Sequence, residues 1–351
     1  MTVTVPAPSP AVPVAGRPAS LRRRRTVGLV VCLALVALAV LASLALGSRV
    51  VGWSDVLAGL THPDPGSIDQ AAVQSRVPRT VLGLVVGAAL GVAGALLQGL
   101  TRNPLADPGL LGISSGSSLA VVIGIGWLGI STLAGYVWLA ILGAAVTSLL
   151  VYGIGSLGRE GATPLKLALA GAATTAAVSS LVSMVLLTRT DVLDTFRFWQ
   201  VGSLGRADLG QLAQVAPLLL VGAVLAVACA RGLDALSLGE DVAVGLGQRT
   251  GTIRALGGLA AVLLCGTAVA LAGPIGFIGL VMPHLARSLT GPSHRWVLPY
   301  AAALGAALLL VADVVGRVVV RPQELEVGIV TAILGAPVFI AIIRRQKVRE
   351  L

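Results

Sequence analysis

Apolar stretches of about twenty residues, following one another with only short polar turns between, constrain this chain more than any motif in it. The cleanest is VGLVVCLALVALAVLASLAL, Val27 to Leu46. At 1.5 Å per residue such a run makes a helix ~30 Å long, the thickness of a bilayer's hydrocarbon core. Every backbone donor and acceptor must there be satisfied within the segment, and for runs of this length that means helices. Only 11% of the 351 residues are charged, against about 25% in soluble domains, and 56% are hydrophobic. The fold class expected is an all-α polytopic membrane protein.

Apolar runs read against their breakers give about ten transmembrane helices, near 27–46, 80–98, 110–128, 134–153, 165–187, 211–230, 254–272, 276–289, 297–315 and 328–343. Residues 1–26 read as a disordered, basic cytoplasmic tail, because Pro6, Pro8, Pro10, Pro13 and Pro18 stand among small residues that build no core. Arg22 to Arg25 then abut the first span. That span is too long for the h-region of a signal peptide and is read as uncleaved. Residues 27–345 form the membrane domain, with a cytoplasmic loop at 232–252, and 346–351 a second cytoplasmic tail.

The formal charge of +10 does not indicate nucleic acid, since the arginines fall mostly in short loops and tails between spans. With the N-terminus inside, all but eight of the 25 cations are cytoplasmic, as the positive-inside rule requires. The eight outside are Arg49, Arg76, Arg79, Arg189, Arg197, Arg206, Arg317 and Arg321. Two readings stay open for them: an acidic partner docks there, or they reach lipid headgroups and pair with Asp191, Asp194, Asp208 and Glu324.

An offset of 179 aligns the second span with the seventh without a gap. It pairs Leu84 with Leu263, Gly87 with Gly266, Gly94 with Gly273, Pro104 with Pro283 and Gly112 with Gly291. Five spans separate the copies, so they run in opposite directions, as in transporters built from inverted repeats. In both copies a proline is expected to interrupt the chain at a span's inner end, in RNPLADPGLLG (102–112) and VMPHLARSLTG (281–291), either as a gate element or as a plain loop turn. Gly83, Gly87, Gly91 and Gly94 step along one face and predict close helix packing.

Nucleotide and catalytic chemistry find no support. The polar stretch GEDVAVGLGQRTG (239–251) fits neither a phosphate loop, which needs a lysine after glycine, nor the GxGxxG dinucleotide spacing. His62, His284 and His294 are scattered, and Cys32, Cys229 and Cys265 lie inside apolar runs as packing residues. No metal site or bound cofactor is expected. Asp313 is the one acid set inside an apolar span. It is either the proton carrier of an ion-coupled secondary transporter or the structural partner of Arg317 one helical turn on.

RVPR (76–79), RNPLADPGLLGISSG (102–116), LALAG (167–171), WQVGSL (199–204), LGEDVAVGLG (238–247), GPIGFIGLVMPHLAR (273–287), HRWVLP (294–299), AD (312–313) and GIVTAILGAPVFI (328–340) occur in order. Together they resemble the FecCD-type permeases, the membrane halves of bacterial ABC importers for ferric siderophores, haem and cobalamin. The resemblance implies a type II ABC importer permease in the bacterial cell membrane, with both termini cytoplasmic and no catalysis of its own. It implies a second permease copy (homodimer or heterodimer), two ABC ATPase subunits that use ATP and magnesium, an extracytoplasmic substrate-binding protein, and surrounding lipid.

The resemblance also assigns residues. Arg76, Arg79 and Arg317 would receive glutamates of the binding protein. Asn103 and Leu105, with Pro164 and Leu165, would form the cytoplasmic gate, although Pro-Leu stands where small polar residues can occur. The 232–252 loop would seat in the ATPase, its Leu238, Gly239, Glu240, Asp241, Gln248 and Arg249 forming the handle. Glu326 departs from the family's usual proline and is expected to place an extra acid on the outer face.

Overall fold

The computed structural model describes residues 18–62, 65–130, 132–158 and 163–347; the expected tail at 1–17, Arg159 and the end of the C-terminal tail lie outside them. The helices, in chain order, are α1 (Pro18–Ala45), α2 (Trp53–Thr61), α3 (Ile68–Leu100), α4 (Ile113–Trp127), α5 (Leu133–Gly155), α6 (Pro164–Thr188), α7 (Thr190–Gln200), α8 (Leu209–Leu236), α9 (Glu240–Gly245), α10 (Thr250–Ala272), α11 (Ile278–Thr290), α12 (His294–Val319) and α13 (Val327–Lys347). A 3-10 turn, Pro108–Leu111, precedes α4.

Each expected span falls on a helix. Seven of them, α1, α3, α5, α6, α8, α10 and α12, are long and apolar enough to cross a membrane; α4 and the apolar part of α13 are shorter. The 13 residues of α11 reach only ~20 Å, too short to cross hydrocarbon unaided. The short helices α2, α7 and α9 lie in the connections, where their charges break the apolar signal. At the N-terminus, α1 starts at Pro18, so Arg22 to Arg25 are helical and not part of a disordered tail. Arg25 Nε donates to Thr290 O at 2.8 Å and Tyr300 Oη donates to Arg25 O at 2.6 Å, which fastens this basic turn to α11 and α12.

α3 runs through the middle of the bundle and packs on α12, α10, α11 and α8. The glycine stripe is the reason it can. A Cβ at Gly91 would overlap Ala301 O, one at Gly87 would come 2.5 Å from Gly305 O, and one at Gly83 2.8 Å from a Leu310 methyl. Backbones this close gain dispersion contacts that larger residues would prevent. Gly94 faces a different helix, meeting Gly279 of α11.

The repeat-related prolines behave differently from one another. Pro104 lies in the turn after α3, as expected, but Pro283 sits inside α11 without breaking it. Proline lacks the N–H that would bond to the carbonyl of residue 279. Gln98 of α3 supplies the missing donor, its Nε2 lying 3.3 Å from Gly279 O and 3.0 Å from Leu280 O, while Arg287 Nη1 donates to Gln98 Oε1. The paired glycines diverge too: Gly94 is mid-helix, whereas Gly273, at φ +74°, ends α10 because Pro274 follows it.

Candidate functional site

A helix leaves its last four carbonyls without internal partners. At the end of α1 all four find one. Leu46 N donates to Ala42 O at 2.8 Å and Val51 N to Ala45 O at 3.0 Å. The remaining two are taken by arginines from distant helices: Arg317 Nη1 reaches Ser43 O at 3.0 Å and Arg76 Nη1 reaches Leu44 O at 2.8 Å. Cations there also oppose the negative end of the helix dipole. Arg317 bonds further to Leu46 O and Ser43 Oγ, and Arg76 to Arg49 O. Gly47 leaves room, since a Cβ there would come 2.8 Å from Arg76 Nη2.

Asp313 ties these caps to the third arginine. Its Oδ1 accepts from Arg79 Nε at 2.8 Å, and Arg317 Nη2 stands 2.9 Å from its Oδ2 as an ion pair. Arg79 Nη1 donates outward to Glu324 Oε2 at 2.6 Å, in the loop between α12 and α13. Burial grades across the cluster: the side chains of Asp313 and Arg317 are 1% and 2% exposed, Arg79 13% and Glu324 39%. Arg76, Arg79, Arg317 and Glu324 border a cavity, and Asp313 is buried behind two of them. The cavity, of about 220 Å³, is lined by Ser48, Ser75, Arg76, Arg79, Arg317 and Glu324 among others. That is below the ~300–1,000 Å³ of pockets that bury drug-sized ligands, so it suits a side chain and not a whole metal chelate.

The structure therefore brings Arg76, Arg79 and Arg317 to one place, and gives Asp313 the structural role. Both its oxygens face guanidinium groups at one end of α12, which removes the lone intramembrane acid on which an ion-coupled secondary transporter would depend. Of the other outer arginines, Arg49 pairs with Asp69 (3.2 Å), Arg189 with Asp191 (2.9 Å) and Arg197 with Asp194 (3.4 Å). The hydrogen bond from Arg189 holds the Asp191 carboxyl below the usual carboxylate range. Asp208 instead caps α8, accepting from Gly210 N at 2.7 Å. Glu326 stands half-buried at the start of α13, where an acid suits the helix N-terminus. Glu324, rather than Glu326, is the acid that lines the cavity.

Of the expected gate residues, Asn103 and Leu105 lie just past the opposite end of α3, whose last residue is ~32 Å from Arg79 by helix rise. There Asn103 Oδ1 accepts from Leu105 N at 2.9 Å, closing a tight turn that Arg102 enters at φ +51°. Leu105 is 40% exposed and Leu165, in the first turn of α6, 69%. Pro164 is the first residue of α6, with Thr163 as its N-cap. The 3-10 turn after Leu105 packs on α6, the helix that Pro164 begins.

The 232–252 segment is a helix end, the short α9, and a second turn. Gly239 enters α9 at φ +119° and Gly247 leaves it at φ +76°, while Gln248 N bonds back to Ala243 O at 2.9 Å. Such a bond satisfies a terminal carbonyl, and left-handed glycine allows it. Gly239 and Gly247 are thus helix punctuation. Glu240 is 2.8 Å from Arg254 of α10, which anchors α9 to the bundle. Leu238, Asp241 and Arg249 of the expected handle are exposed, but so are Val242, Val244 and Leu246. Beyond Leu238 this apolar ridge was missed, because aliphatics in a mostly aliphatic chain carry no signal; only the fold shows that they lie outside the bundle.

The comparisons agree with this architecture. The FecCD transport family matches residues 35–345. The ferric enterobactin transport system permease protein FepD of Escherichia coli (strain K12) is 45% identical over 314 residues, spanning 90% of this chain and 94% of FepD. The iron(3+)-hydroxamate import system permease protein FhuB of Bacillus subtilis (strain 168) is 40% identical over 332 residues, spanning 92% and 85%. A solved inward-facing structure of an ABC transporter of metal-chelate type superposes with a TM-score of 0.78 at 30% identity, covering 90% of this chain and 98% of its own. With the family matched along nearly the whole membrane domain and relatives this similar, the chain belongs to the FecCD transport family of ABC transporter permeases.

Proposed function

We propose that this chain imports a ferric siderophore as one of two permease copies in a bacterial cell membrane, driven by ATP hydrolysed on separate subunits. The observation that supports this most is the division of the molecule: a cavity lined by three arginines at one end of α3 and α12, and an exposed apolar ridge on α9 toward the other. An acidic side chain of a substrate-loaded binding protein enters the first, and an ATPase cleft grips the second. Closure of the ATPase pair moves α9, and through the Glu240–Arg254 pair moves α10, which packs on α3 and on the 3-10 turn beside Asn103 and Leu105. The names of FepD and FhuB favour a ferric siderophore over haem or cobalamin as cargo.

The test is reconstitution in proteoliposomes with an ATPase and a binding protein, following radiolabelled iron bound to a siderophore. Uptake is expected only with ATP and the loaded binding protein. Transport by this chain alone under a proton gradient would overturn the reading.

A further inference from the structure

In the cavity every arginine is already engaged. Arg317 and Arg76 are held by the carbonyls at the end of α1, and Arg79 by Asp313 through Nε. These partners are buried, and releasing any of them would leave backbone carbonyls or a carboxylate without a donor. One hydrogen bond differs from the rest. Arg79 Nη1 is held at 2.6 Å by Glu324, the most exposed member of the cluster, on a loop and not on a helix.

We infer that Glu324 is a resident carboxylate that occupies the docking place on Arg79 until an acidic side chain of the partner displaces it. This rests on the reading of the cavity as the docking site. The charges fit. Three arginines against Asp313 and Glu324 leave the cluster at +1, so one entering carboxylate neutralises it, and that carboxylate competes with Glu324 for the outward nitrogen of Arg79. The loop is built to let the side chain swing while the backbone stays. Leu325 N is tied to Gly316 O at 3.0 Å and Gly328 N to Gly202 O at 3.1 Å, on either side of the turn into α13. Glu324 thus sets docking affinity low in the free permease and keeps Arg79 from holding arbitrary anions.

The experiment uses the full chain in lipid nanodiscs and a fluorophore-labelled tetraglutamate peptide as probe, titrated at low and at physiological salt. Glu324→Gln is expected to bind the peptide roughly tenfold tighter than the unaltered chain, with a steeper loss as salt rises, because the cluster gains one net positive charge. Glu324→Ala is expected to do the same, and Arg79→Gln to bind at least tenfold more weakly. Thermal unfolding of both Glu324 variants within a few degrees of the parent would establish that they fold. If both bind as the parent does, or more weakly, while Arg79→Gln still loses binding, Glu324 is no competitor and the inference fails with the docking site intact. If Arg79→Gln also binds unchanged, the docking reading falls with it.

Discussion

Arg317 Nη1 and the carbonyl of Ser43 lie 3.0 Å apart across 274 residues of sequence, and that bond makes an arginine of α12 the cap of α1. The same arginine faces Asp313, which in turn holds Arg79. A surface expected to serve docking is therefore also the clasp that closes one end of the bundle. Substitutions there report on stability as well as on partner binding.

Asp313→Asn should cost about 3 kcal/mol, because it leaves two largely buried guanidinium groups short of a counter-charge. Thermal unfolding in nanodiscs is the measurement. An unchanged midpoint would mean that the pairs with Arg79 and Arg317 contribute little.

Gly91→Ala should destabilise by about 2 kcal/mol, since the added Cβ overlaps Ala301 O and forces α3 away from α12. Gly153→Ala is the control, because a Cβ there meets nothing within 4 Å. Equal effects at the two sites would show that close approach of α3 and α12 is not what Gly91 provides.

Replacing Gln98 by leucine removes the donor for Gly279 O and Leu280 O and the acceptor for Arg287. A cost of about 2 kcal/mol is expected from the polar groups left unpaired in the interior. Hydrogen exchange should rise in α11 more than in α5. Exchange raised evenly across both helices would argue against Gln98 as the clamp that lets α11 tolerate Pro283.

Val242→Asp with Leu246→Asp puts charge on the exposed ridge of α9, far from the arginine cavity. Uptake should fall at least tenfold and ATPase stimulation by the loaded binding protein should vanish. Peptide binding at the arginine end should stay as it was. Retained uptake would place ATPase contact elsewhere.

Much of the fold is legible in the sequence because the bilayer admits few solutions. Runs near 27–46, 80–98 and 254–272 had to be helical, and α1, α3 and α10 are. Helical spacing made the pair of Asp313 with Arg317 one of two open readings, and the structure selects it. The apolar ridge of α9 beyond Leu238 could not be read, since Val242 and Leu246 differ in no chemical way from the buried leucines and valines around them. Pro283 misled because a proline's local effect depends on whether some other residue supplies the lost hydrogen bond, and Gln98 lies 181 residues from the carbonyl it serves.

The sequence by itself determined a bundle of apolar helices, the family, and a set of arginines grouped at one face. Hydrocarbon thickness and backbone satisfaction impose the helices through composition and length, the ordered motifs carry the family, and the charge of the loops groups the arginines, all without reference to which helix neighbours which. Only the tertiary structure decided what each arginine does. Within the cavity, Arg76 and Arg317 are spent on the carbonyls that end α1, while Arg79 is the one bonded to an exposed carboxylate. That distinction lives in contacts between residues 32 to 274 positions apart, where local pattern carries no information and the competition between buried and solvent-facing partners settles the outcome.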